Sequence, residues 1–147
     1  MGELMNLLFS KNHNSILCHS MGNKLFEGIT TKFTRQAKVE KIILAAPDLD
    51  INGFQNGALL NNFQLGEIIV LVNKKDQLLR LSKWMHQKRR LGLSGNEEIV
   101  FPKIHHKEKV FIWDVTNQVK EGKFGSGHVY FKRTETIFNR IKTKLES

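Results

Sequence analysis

A chemical reading of this chain starts at Ser20. It stands in the pentapeptide Cys18-His19-Ser20-Met21-Gly22, between a short apolar run, Ser15 to His19, and a helical pattern carried by Leu25, Phe26, Ile29 and Phe33. A hydroxyl residue at the turn from strand to helix can act as a nucleophile. The tight turn lifts Oγ off the sheet, and the helix N-terminus offers a backbone N–H to a developing oxyanion. Small residues on either side let strand and helix approach. Gly22 supplies the downstream one; the upstream position is Cys18 rather than glycine. The competing reading of Ser20 is a helix N-cap at an ordinary junction. The His19 side chain is expected to point away from that of Ser20, because neighbours on a strand alternate.

A serine nucleophile needs a base, and the base needs an orienting carboxylate. Asp76 follows the third apolar run, and His128 lies after the fourth, behind Gly125-Ser126-Gly127. Both fall beyond strand C-termini, the edge where parallel sheets place their sites. Asp76 is also placed to N-cap a helix beginning near Gln77. Asp48 and Asp50, after the second run, are rival acids. Asp114, at the end of its strand, is less free to reach a histidine. His105 and His106 are rival bases, but they precede the fourth strand, at the wrong end of the sheet. No Cys or carboxylate stands at metal-ligand spacing from that pair, so no metal is expected, and acyl transfer through a serine nucleophile would need no organic cofactor.

The elements that must position these groups read as strand and helix in alternation. Leu4, Leu7 and Leu8 predict the end of a helix over Met1 to Ser10. Ser15 to His19, Lys41 to Ala46, Glu67 to Val72 and Val110 to Val115 are runs that suit buried strands. Asp50 to Leu60 is ambiguous, since Gly53 and Gly57 weaken a helix. Leu78, Leu79, Leu81, Ser82 and Met85 predict a helix. Leu91 to Lys109 reads as a long loop with a short extended piece at Glu98 to Phe101. Thr134, Ile137, Phe138, Ile141 and Leu145 mark a last amphipathic helix. Strands apolar on both faces, alternating with helices, give an α/β domain, 1–147, with about four mostly parallel strands and helices on both faces.

The 147 residues suit one domain, and 40% hydrophobic with 25% charged residues is ordinary for a globular chain. The formal net charge of +9 favours anionic partners, polyanions and anionic membranes among them. The basic residues are scattered, however, and no nucleic-acid motif accompanies them, so nucleic acid is not the expected partner. The densest cluster, Lys83 to Arg90, reads as one solvated helix face. A single cysteine, Cys18, excludes an internal disulfide. No run is long enough to span a bilayer, and no signal peptide is recognisable, which points to the cytoplasm.

Together these residues resemble a group of α/β-hydrolases known as a family of unknown function. The likeness rests on Cys18-His19-Ser20-Met21-Gly22-Asn23, where that family has A-H-S-M-G-N. It continues through Leu44-Ala45-Ala46-Pro47-Asp48-Leu49-Asp50 with Phe54, then Asn73-Lys74-Lys75-Asp76 with Leu78-Leu79-Arg80-Leu81-Ser82, then Arg90-Leu91-Gly92 and Gly127-His128. The resemblance implies acyl or ester hydrolysis through an acyl-serine intermediate on a small ester substrate. Ser20 would be the nucleophile, His128 the general base and then acid, and Asp76 the orienting acid. The Met21 N–H would be one oxyanion donor, and the Met21 side chain could line the pocket. Asp48 would be the alternative acid, although Asp48 and Asp50 look more like a structural motif.

The resemblance also implies further strands, and an upstream His-Gly loop giving a second oxyanion N–H, before the elbow strand. The chain begins about one helix before that strand. It is therefore expected to be a C-terminal portion whose N-terminal strands are missing. Full activity would need a complementing N-terminal half. Residues 15–19 would form an open apolar edge prone to self-association. A non-enzymatic interaction module and a polyanion-binding protein are the alternatives to an enzyme.

Overall fold

In a computed structural model of the chain, the four apolar runs lie side by side as strands. The structure describes residues 15–32, 38–61, 65–101, 104–120 and 126–147. The helix expected over Met1 to Ser10 lies outside them. The strands are β1 (Ser15–His19), β2 (Val39–Ala45), β3 (Leu65–Val72) and β4 (Val110–Asp114). They pair in the order β1-β2-β3-β4, and every pairing is parallel. Among the described residues β1 pairs with β2 alone, and its Leu17 is exposed.

The register decides which side chains share a face. Cys18, Leu44, Val70 and Ile112 form one lateral row, and His19, Ala45, Leu71 and Trp113 form the next. Adjacent rows project to opposite sides of a sheet. The first row packs with Phe26, Phe54, Leu59 and Leu60, from α1 (Met21–Thr30), α2 (Ile51–Asn56) and α3 (Ala58–Asn61). In the second row, Ala45, Leu71 and Trp113 pack with Leu79, Tyr130, Phe131, Ile137 and Ile141, from α4 (Gln77–His86), α6 (Tyr130–Arg133) and α7 (Glu135–Glu146). Both faces are covered, which is why β2 and β3 read as continuous apolar runs rather than as alternating ones.

The ambiguous stretch after β2 is helical. Asp50 N-caps α2 by accepting from Gly53 N at 3.3 Å, an arrangement that satisfies one of the helix's unpaired N–H groups. The stretch expected as a long loop is more ordered than its composition indicates. It holds 3₁₀ turns at Leu91–Leu93 and Asn96–Glu98, and a helix, α5 (Ile104–Lys109), that runs directly into β4. No extended strand forms at 98–101. Among the described residues no helix is long and apolar enough to cross a membrane.

Tyr130 ties the carboxyl edge of the sheet together. It is buried, and its hydroxyl accepts from Ala46 N and donates to Leu71 O, each at 3.0 Å. Burial pushes the phenol pKa well up, so the hydroxyl keeps the proton it donates. Tyr130→Phe retains the ring but leaves the buried Ala46 N–H without its acceptor. A loss of about 1–3 kcal/mol in urea unfolding is expected, while Lys142→Ala on the solvent side of α7 stays within about 0.5 kcal/mol. Equal stability of Tyr130→Phe and the parent would show that the bridge contributes nothing.

Candidate active site

Ser20 joins β1 to α1 with φ 53° and ψ −125°. Positive φ is uncommon for a residue with a Cβ, and holding it costs on the order of 1–3 kcal/mol. Neighbouring bonds fix it there. Ser20 N donates to Ala45 O at 3.1 Å, and Ser20 O accepts from Asn23 N at 3.1 Å and from Asn23 Nδ2 at 2.8 Å. Asn23 Nδ2 also reaches Ala45 O at 3.3 Å, so this one buried amide clamps both sides of the turn. Ser20 stands at the N-cap position of α1, but its side chain makes no capping bond there. Met21 opens α1, so its N–H has no partner within the helix.

The small residues around the turn play unequal parts. Cys18 packs into the core beneath β1, where burial pushes its thiol up to about 11. It is a packing residue rather than a rival nucleophile. A Cβ on Gly22 would meet nothing within 4 Å. Close approach of strand and helix is therefore not what requires glycine there.

Asp76 and His128, 52 residues apart, are in direct contact: His128 Nδ1 lies 2.7 Å from Asp76 Oδ2. Both side chains are buried. The other carboxylate oxygen, Oδ1, accepts from Leu78 N at 3.0 Å and Leu79 N at 3.1 Å. Asp76 therefore caps α4 and holds the histidine at once. Capping the helix and contacting the histidine are compatible at this residue. Facing a carboxylate, Nδ1 carries the proton and donates it, leaving Nε2 as the ring's basic nitrogen.

The backbone around His128 is pinned from two sides. Asn73 Nδ2 donates to Gly127 O at 2.8 Å. His19 Nε2 lies 3.0 Å from His128 O, and since a carbonyl only accepts, Nε2 carries the proton. The His19 ring sits 4.8 Å from that of His128 and 4.7 Å from that of Phe131. Burial, the largest influence, lowers the His19 pKa and favours the neutral ring that this bond uses. Register explains the contact, because His19 shares its row with Ala45 and Leu71 on the Tyr130 and Phe131 face.

The structure thus brings Asp76 and His128 together and sets Ser20 next to the His19 that touches His128. No Ser20–His128 hydrogen bond is present among the described residues. In enzymes without substrate such bonds are often open and tighten on binding. The rival acids are occupied elsewhere. Asp48 Oδ1 lies 3.1 Å from Arg90 Nε and accepts from Ser82 Oγ at 2.7 Å. Asp50 caps α2. Asp114 accepts from Thr116 N and lies 3.6 Å from Lys74 Nζ. His106 is buried on α5, before β4. Asn23, Asn73 and Tyr130 are supporting residues whose roles the sequence did not single out. Asn23 and Asn73 do stand in the quoted motif segments, but Asn23 also reaches Ala45 O and Asn73 reaches Gly127 O, backbone groups far along the chain.

A search of curated proteins found no match to the chain, and a search of solved structures found none either. A family match does exist, and it spans residues 3–144. With its parallel sheet, covering helices and Ser20 turn, the chain belongs to the family described as alpha/beta hydrolase of unknown function (DUF900).

Proposed function

We propose that the protein is a serine-type hydrolase of esters or related acyl compounds, working through an acyl-Ser20 intermediate. The observation that carries this reading is the buried Asp76–His128 bond of 2.7 Å at the sheet edge where Ser20 makes its strained turn. A neutral histidine whose proton is held on Nδ1 by a carboxylate is the form a general base needs.

His128 Nε2 takes the proton from Ser20 Oγ as Oγ attacks the acyl carbon. The Met21 N–H donates to the oxyanion of the tetrahedral intermediate. As the C–O bond to the leaving alcohol breaks, His128 returns the proton to that oxygen. Water then repeats the sequence on the acyl-serine, with His128 again as base, and releases the acid and free Ser20. Asp76 keeps its charge throughout and stabilises the imidazolium that forms twice per turnover. His19 and Asn73 hold the His128 backbone in place, and neither touches the reacting atoms.

The acid's double role yields a discriminating pair of variants. Asn is as good an N-cap as Asp, so Asp76→Asn is expected to keep α4 and most of the stability. Its amide can donate to Nδ1 and so favours the wrong tautomer. Hydrolysis of a short-chain p-nitrophenyl ester should fall by roughly 10³- to 10⁴-fold, the scale of such a change in serine enzymes. Asp76→Ala should lose activity and, in addition, about 0.5–2 kcal/mol of cap energy in urea unfolding. Equal esterase rates in Asp76→Asn and the parent would remove Asp76 from the mechanism.

Ser20→Ala is expected to bring turnover down to the buffer rate and to abolish the initial burst of nitrophenolate. A folded parent chain without ester turnover, or a Ser20→Ala variant as active as the parent, contradicts the proposal.

A further inference from the structure

The helix that Asp76 caps carries an unusual outer face. Leu81 and Met85 belong to the apolar pattern that predicts α4, yet both are exposed. Leu81 is 44%, Trp84 71% and Met85 62% exposed, whereas Leu79 is buried. Residues 81, 84 and 85 follow the i, i+3, i+4 spacing that puts side chains on one helix face. Next to them, Arg80, Lys83, Lys88 and Arg89 line a shallow groove around Trp84, of about 330 Å³, that has no acidic wall. Among the described residues, Glu98, 3.8 Å from Arg89, is the one carboxylate within ion-pair distance of these four cations.

We propose that this face of α4 docks on an anionic lipid bilayer. Three large apolar side chains beside four cations match an interfacial helix, whose apolar groups enter the headgroup boundary while lysine and arginine stay at the phosphates. Tryptophan in particular favours that boundary. The charge excludes a second copy of the same face, since two such patches repel. A nucleic acid would satisfy the cations and could stack on Trp84, but it would leave Leu81 and Met85 in water. A bilayer covers both sets. The inference does not depend on the hydrolase reading.

The test is co-sedimentation with vesicles of phosphatidylcholine alone, or with about a third phosphatidylserine, at low and physiological salt. Trp113→Phe leaves Trp84 as the sole tryptophan. Binding to the anionic vesicles only, weakened by salt, with a blue shift of Trp84 emission, is the expected result. Lys83→Glu and Arg89→Glu should each weaken binding at least roughly fivefold, the scale of one basic residue at an anionic surface. Trp84→Ser should weaken it as well, with unchanged circular dichroism; this holds even where Trp113→Phe does not fold. No binding at low salt overturns the proposal. So does binding that the α4 variants leave intact, emission that does not shift, or retention of short RNA in place of vesicles.

Discussion

The structure of the site depends on one carboxylate. Asp76 is buried, and its two oxygens do different work. One oxygen closes the first turn of α4 by accepting two backbone N–H bonds. The other holds His128, which arrives from beyond β4. A buried carboxylate with no partners would be costly; here three donors compensate. The position of the histidine is thereby tied to the start of a helix that packs on the sheet. His128 cannot move away from this edge without breaking its bond to the carboxylate that caps α4.

Strain at Ser20 is sustained by the same logic. Its positive φ is held by bonds from β2 and from α1, with Asn23 bridging Ser20 O and Ala45 O. Just beyond, Ala46 also has positive φ, 44°, and its N–H is met by Tyr130. The carboxyl ends of β1 and β2 therefore both leave the sheet through sharp, hydrogen-bonded turns. Gly92 completes this edge. It accepts from Asn73 N and donates to Pro47 O, and a Cβ there would come within 2.5 Å of Leu79 and 3.0 Å of Pro47. Glycine is required at that crossing because no room exists for a side chain.

Much of this was legible in the sequence, for physical reasons. Strands covered on both faces must be apolar throughout, so Ile42 to Ala45 and Ile68 to Val72 announce themselves. Asp before a helical pattern announces a cap, as at Asp76, whereas the Asp50 cap stayed hidden because Gly53 and Gly57 blur the helix that follows it. The helix at 104–109 was missed because Ile-His-His-Lys-Glu-Lys has no apolar periodicity to reveal it. The outward charges of α4 were legible as a solvated face, but the exposure of Leu81 was not, since it fits an apolar stripe that the packing does not use. The contacts of His19, Asn73 and Tyr130 link segments 54 to 109 residues apart, and local pattern holds no trace of such pairings. Asp76 is preferred to Asp48 on the motif resemblance alone, since both stand after a strand; the fold adds a difference in their partners. What separates them is Arg90, which occupies Asp48.

The central claim is that Ser20 is a nucleophile activated by the Asp76–His128 pair. Its most direct test is the site of covalent modification by a fluorophosphonate, read by peptide mass spectrometry on the folded chain. The account expects a single adduct on the peptide containing Ser20, formed quickly in the parent and far more slowly in His128→Ala. An adduct on another serine, equal rates in both proteins, or no adduct on the folded chain would contradict it.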